Sequence, residues 1–199
     1  MRNTSIAKFV FLLLLAAAFL SFVVGAYFLA RGVSARAQPG AFEAAFATTV
    51  RDLAIRGRTR GLVNPVATTP ETVAEGRAHF ADHCASCHGN DGSGNTEMGR
   101  GLYPRAPDMR LPATQNLSDA ELFYIIENGV RLTGMPGWGT GTKEGETQSW
   151  HLVQFIRHLP ALTPAEIEEM KSLNPRSPAE VRQEIEEEKF LQGGDDAPQ

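Results

Sequence analysis

Two thiols and an imidazole stand together in the run Cys84-Ala85-Ser86-Cys87-His88, and this is the spacing that attaches a c-type haem. The chemistry accounts for the spacing. Two thioether bonds must reach the two former vinyl groups on one edge of the macrocycle, while the imidazole of the next residue must rise under the iron. A single helical turn ending at His88 does both. A zinc site also uses C-x-x-C, but it needs two further ligands at sensible spacing, and the chain has no third cysteine. A thioredoxin-like pair would open a helix after a buried strand. Here Gly89-Asn90-Asp91-Gly92-Ser93-Gly94 follows instead, which is turn chemistry. The motif therefore implies one covalent haem c with its iron. Both cysteines are consumed by it, so no disulfide is left to stabilise the fold.

The elements that must hold this motif are helical. Thr69-Pro70-Glu71 combines an N-cap, a first-turn proline and an acid that opposes the helix dipole, so a helix should start here and run towards Cys84. Gly76 and Phe80 share one face of it. Ser118-Asp119-Ala120-Glu121 is a capping box, with Leu122, Ile125 and Ile126 as the buried stripe and Gly129 as the stop. A third helix is expected from near Thr147 to Leu159, burying Trp150, Val153, Phe155 or Ile156, and Leu159. Two further caps, Thr163-Pro164-Ala165-Glu166 and Ser177-Pro178-Ala179-Glu180, should open short acidic helices. Glu184, Glu186, Glu187 and Glu188 are then either a solvated face or a docking surface for a basic partner. No strand-like alternation competes, and the fold class is all-α. The glycine-rich run from Gly89 to Gly101 lacks the strand before it and the Lys-Ser/Thr ending that a phosphate loop needs.

Charge runs from basic to acidic along the chain. Residues 1–65 carry +6, residues 66–159 carry −4 and residues 160–199 carry −6. A nucleic-acid footprint would cluster basic residues on a folded domain, so that class of partner is excluded. The basic end suits anionic lipid headgroups, which makes membrane lipid an expected partner.

From Phe9 to Ala30 there are 22 residues without a charge, and at about 1.5 Å per residue they span a hydrocarbon core of about 30 Å. Ala35-Arg36-Ala37 fits a signal-peptidase site, but the apolar core is longer than the roughly 7–15 residues of a signal peptide. An uncleaved anchor is expected. After it, Phe42, Phe46, Val50 and Leu53 recur at helical spacing beside Arg51, Arg56, Arg58 and Arg60. Such a helix either packs on the domain or on another subunit, or lies on the headgroups. The expected organisation is a cytoplasmic N-terminus over 1–8, a transmembrane anchor over 9–30 and a linker with an amphipathic helix over 31–65. A haem domain over 66–160 and an acidic helical extension over 161–199 follow. A domain of this size has a modest core, so much of its stability should come from the haem.

The C-x-x-C-H motif, Gly76 and Phe80, the run Gly134-Met135-Pro136-Gly137-Trp138 and the aromatic third helix together resemble the class I cytochromes c over about residues 70–160. The wording is similar to single-haem, membrane-anchored bacterial cytochromes and to cytochrome subunits of oxidases and dehydrogenases. The resemblance implies that the first and last helices cross at Gly76 with Phe155 opposite. It makes His88 the proximal iron ligand. Of the methionines, Met98 follows His88 too closely and Met109 stands where the family has an apolar packing residue. Met170 lies in an acidic helix beyond the domain. Met135, between a glycine and a proline that hold a loop against a flat ring, is the distal choice. In the family a proline carbonyl accepts the other N–H of the imidazole. Pro107 is the candidate and Pro104 the alternative. Trp138 either packs on the haem edge or donates to a propionate, and Arg105 or Arg110 would pair with one. His79, His83, His151 and His158 are expected to be surface or packing residues. A His/Met iron has no open position, which implies electron transfer to or from an oxidase, dehydrogenase or quinol-oxidising complex, alone or as a subunit. A haem sensor or peroxidase would need an open or labile distal site. Bacterial haem attachment occurs outside the cytoplasmic membrane, so the domain should lie on that side.

Overall fold

Every described element is helical, and five of the helices start where a Thr or Ser side chain accepts one of the orphan N–H groups of the first turn. The computed structural model describes residues 2–32, 34–176 and 178–191. The chain divides into two units, Met1–Ala37 and Gln38–Gln199. The first is α1 (Arg2–Arg31), whose stretch Ile6–Ala30 is exposed and is the one described helix long and apolar enough to cross a membrane.

In the second unit, α2 (Ala41–Arg58) leads to α3 (Pro70–His79), which Thr69 caps by accepting from the Thr72 N–H at 3.2 Å. The helix does not stop at His79. It widens into a π-helical stretch, Phe80–Cys84, and tightens again for a last turn, Ala85–His88. Two short helices, α4 (Glu97–Gly101) and α5 (Pro112–Gln115), punctuate the loop that follows. The capping box of Ser118 and Glu121 opens α6 (Asp119–Asn128), and Gly129 ends it with φ +66°. Helix α7 (Lys143–His158) starts four residues before the expected Thr147. The Thr142 hydroxyl accepts from the Gly145 N–H at 3.1 Å, a cap hidden among the glycines and threonines of residues 139–142. A single 3₁₀ turn, Leu159–Ala161, leads to α8 (Pro164–Lys171), opened by the capping box of Thr163 and Glu166. The last described helix is α9 (Pro178–Leu191). The Ser177 cap falls outside the described residues.

The core forms where α3 crosses α7. A Cβ at Gly76 would stand 2.0 Å from the His151 carbonyl oxygen and 3.0 Å from the Phe155 Cβ, so no other residue permits the approach. Phe80 and Phe155 meet at 5.1 Å across the same crossing. Leu152, Val153, Ile156, Leu159, Leu122 and Ile126 close around them, and Trp150 stacks on Phe123 at 4.1 Å.

One expectation about the flanks changes, and among the alternatives for the amphipathic helix the packing on the domain is observed. Met170 is not outside the packed body but fully buried in its core, because α8 turns one apolar position inward from a mostly acidic surface. Helix α2 packs on the domain through Ile55 and Thr59, both buried, with Arg56 paired to Glu121 at 3.2 Å.

Polar contacts fasten α8 from outside. Arg77 reaches Glu166 and Glu169 at 3.3 and 2.9 Å, and the His158 ring lies 2.8 Å from Glu166. Beyond α8, Asn174 and Asn90 exchange side-chain amide hydrogen bonds at 2.8 and 2.9 Å, and Asn174 also donates to the Ala81 carbonyl at 2.8 Å. Burial alone would raise the Glu166 pKa, but the Thr163 N–H and hydroxyl and the His158 ring outweigh it and bring it from 4.5 to about 2. A carboxyl held below its unfolded value stabilises the fold above the unfolded pKa and ceases to do so as the pH falls through the folded one. Unfolding followed from pH 7 to pH 2 should therefore show a stability loss spread between pH 4.5 and about 2. Glu166→Gln should remove that component and cost about 2 kcal/mol at neutral pH.

Candidate functional site

His88 ends the last turn of the α3 extension, and the π-helical stretch before it carries Cys84 at its end. Wide turns of this kind are frequent where a helix must aim functional side chains. Both cysteines are free thiols and half-buried. Burial, with the neighbouring Cys87 adding to it, pushes the Cys84 thiol up to about 12. It is thus held as a neutral thiol rather than a metal-binding thiolate. Among the described residues no cluster of three or more His, Cys, Asp or Glu side chains gathers to hold a metal ion.

The His88 imidazole is mostly buried, and burial lowers its pKa while the nearby Pro107 carbonyl pulls the other way. The result is a neutral ring. Its Nδ1 is buried and no partner meets hydrogen-bond geometry there, although the Pro107 carbonyl is close enough to act on the ring. The segment reaches this position because Gly94 lets the chain through: a Cβ there would stand 2.3 Å from the Ala106 carbonyl oxygen. Thr96 adds a tie by donating to the Cys87 carbonyl at 2.9 Å while it accepts from the Gly99 N–H at 2.8 Å. The glycine-rich run is therefore a tight return loop beneath the His88 turn. An imidazole with a buried, unpaired nitrogen beside the neutral Cys84 thiol and the free Cys87 side chain fits an iron macrocycle attached through thioethers.

Met135 lies on a second loop, between α6 and α7, and is half-buried. Its N–H donates to the Thr133 hydroxyl at 3.1 Å and its carbonyl accepts from the Val130 N–H at 3.1 Å. The loop is pressed back on the end of α6, where Trp138 and Gly139 donate backbone N–H groups to Ile126 and Glu127. Gly129 sits under it, with the backbone of Met135, Pro136 and Gly137 2.5–2.6 Å from where a Cβ would be. The Trp138 ring meets His83 edge to face at 5.3 Å, so the Met135 loop returns to the helix that carries Cys84. Leu132, with φ 63°, is the one described non-glycine residue in the left-handed region, and it occupies the tip of this loop.

The other candidates separate. Arg105 is exposed and forms no ion pair among the described residues, whereas Arg110 is held by Asp108 at 2.7 Å and Asp91 at 3.5 Å. Pro104 and Pro107 are both exposed, and Pro107 is the one whose carbonyl acts on His88. Met98 is exposed, and Met109 and Met170 are core residues. His79 and His83 stack edge to face at 4.7 Å. The His83 Nδ1 lies 3.1 Å from the Asp82 carboxylate without lining up for a hydrogen bond. Sequence reasoning missed the Trp138–His83 contact and the Asn90–Asn174 pair, since nothing local marks residues that meet only through the tertiary fold.

A helix ending in C-x-x-C-H, crossed by an aromatic terminal helix and followed by a return loop and a methionine loop, defines a c-type cytochrome domain, here on a membrane-anchored chain. Residues 71–156 match the family described as cytochrome C oxidase, cbb3-type, subunit III. The cbb3-type cytochrome c oxidase subunits FixP of Sinorhizobium medicae (strain WSM419) and of Rhizobium meliloti (strain 1021) are similar to this chain. Each is 60% identical over 30 residues, 15% of this chain and 10% of the relative. The cbb3-type cytochrome c oxidase subunit CcoP of Cereibacter sphaeroides is 33% identical over 84 residues, 38% of this chain and 24% of that protein. The matched stretches thus span between a tenth and a quarter of the length of these relatives.

Gly129 separates strain from collision at the methionine loop. Alanine at Gly141, φ +72° with open space around it, pays only the left-handed conformation, whereas at Gly129 it must also displace the Met135–Gly137 backbone. Thermal unfolding of the haem-loaded protein should show Gly129→Ala less stable than Gly141→Ala by about 1–3 kcal/mol.

Proposed function

We propose that this chain transfers single electrons at a bacterial cytoplasmic membrane, through one haem c joined to Cys84 and Cys87 and ligated by His88 and Met135. The observation that carries the reading is the neutral, buried His88 imidazole at the end of the helical turn that also bears the two thiols. When bound, haem c supplies a one-electron iron couple. The chain's own residues do the rest. Burial keeps His88 unprotonated and available as a ligand, and the Pro107 carbonyl is positioned to accept its remaining N–H and fix the ring's orientation. The backbone bonds of the Met135 loop hold the thioether in place. Soft sulfur favours ferrous iron and raises the potential. Trp138 and Arg105 line the surroundings, Arg105 as the exposed cation that remains for a propionate. Held by both His88 and Met135, the iron would offer no position to a substrate, so the chain would act as a carrier and catalysis would belong to its partners. The domain works on the outer, periplasmic side, where haem attachment takes place.

The test is spectroscopic. The purified protein should carry one haem per chain by pyridine haemochrome assay, and its ferric form should show the weak near-infrared charge-transfer band of iron–sulfur ligation. Met135→Ala should abolish the band and lower the midpoint potential. A band that survives the substitution assigns the sulfur ligand elsewhere.

Similarity to oxidase subunits favours a second, narrower reading, in which the chain is a stable cytochrome subunit of a terminal oxidase. Extraction of native membranes in mild detergent should then bring down oxidase subunits in fixed ratio with this chain. Recovery of the cytochrome alone would leave it a free carrier tethered to the membrane.

A further inference from the structure

Helix α2 meets the domain with the wrong side for a simple amphipathic helix. At about 100° per residue, Phe42, Phe46, Val50 and Leu53 fall within a narrow stripe. Ile55 and Thr59, the residues buried against the domain, and the half-buried Ala44, Arg51 and Asp52 lie roughly opposite. The domain is therefore gripped by Ile55 on an otherwise small and polar side, not by the apolar stripe. The stripe remains 50–85% exposed, with the Phe42 and Phe46 rings stacked on each other at 6.3 Å. Contacts at both ends lock the helix in this rotation. Tyr103 donates its hydroxyl to Glu43 near the start, and Arg56 pairs with Glu121 near the end. A surface helix normally buries its apolar stripe in the core, so a stripe turned outward and held there calls for a second apolar surface.

We propose that this face of α2 lies on the lipid headgroup layer, so that α2 is sandwiched between bilayer and cytochrome domain and sets which side of the domain faces the membrane. Three observations select lipid. The apolar helix α1 ends at Arg31 and α2 begins at Ala41, a connection that reaches at most about 35 Å and so confines α2 to the neighbourhood of the bilayer. The end of the stripe is basic: Arg58 and Arg60 are exposed and form no ion pair among the described residues, which suits anionic headgroups. Four side chains are also too few for the roughly 800 Å² per partner of a stable protein interface, whereas interfacial insertion has no such threshold. The adjoining Leu62 and Val63 are exposed as well and extend the apolar edge past the arginines.

The haem-loaded full chain, reconstituted in vesicles of phosphatidylethanolamine and phosphatidylglycerol doped with a diazirine-bearing lipid, tests this directly. After illumination, peptide mapping should find lipid adducts in two places, residues 9–30 of α1 and residues 42–53 of α2. Adducts in α1 serve as the internal standard. Phe42→Ser with Phe46→Ser should cut the α2 adducts several-fold, leave those of α1 unchanged and keep the haem spectrum intact. Adducts confined to α1 would overturn the proposal.

Discussion

The close crossing of α3 and α7 at Gly76 is the constraint on which the rest of the domain depends. Helices normally pack with axes about 8–10 Å apart; a carbonyl oxygen 2.0 Å from where a Cβ would sit means that here backbone lies on backbone. That approach lets Phe80 and Phe155 share one layer and seats the start of the π-helical stretch in the core. The orientation of the His88 turn is inherited from it. If the crossing opened, Phe80 would withdraw, and the two thiols and the imidazole would lose their common frame.

Around this apolar centre the polar groups act chiefly as stitches between segments distant in sequence. Arg157 donates to the Asp119 carboxylate and to the Gln115 and Leu117 carbonyls, closing the turn before α6 onto α7. Gln154 is buried and satisfied at both ends, accepting from Thr68 and donating to the Val66 carbonyl, which ties the entry to α3 to the same helix. Each stitch satisfies buried groups that would otherwise be costly to desolvate. Helix α7 thereby serves as the spine to which the entry segment, the α5–α6 turn and α8 are all attached.

Much of this was legible in the residues. The caps at Thr69, Ser118 and Thr163 are local chemistry, a hydroxyl placed three residues before the N–H it accepts from, and each appears where expected. The crossing of Gly76 with Phe155 was legible through family resemblance, since no local signal pairs residues so far apart. Other features were hidden for definite physical reasons. The early start of α7 depends on Thr142, indistinguishable by sequence from the threonine at position 140. Met170 lay in an acidic segment whose single inward position carries little periodic signal. The rotation of α2 was invisible because the apolar stripe, ordinarily the best guide to a helix's buried face, points the other way.

Besides the Met170 side chain buried in the core, the C-terminal segment is held by two polar attachments of different chemical character. One, joining Glu166 to Arg77 and His158, is ionic and responds to protons and salt. The other, between Asn90 and Asn174, is a reciprocal amide exchange with no titratable group and no net charge, so acid and ionic strength leave it almost untouched. Conditions that weaken the first leave the second closed. The segment then stays seated by Met170 and the amide pair, and Asn90 of that pair stands two residues beyond His88. Mechanical load on the tail is thus shared between the return loop beneath the imidazole and, through the Ala81 carbonyl, the residue beside Phe80 in the aromatic centre of the fold.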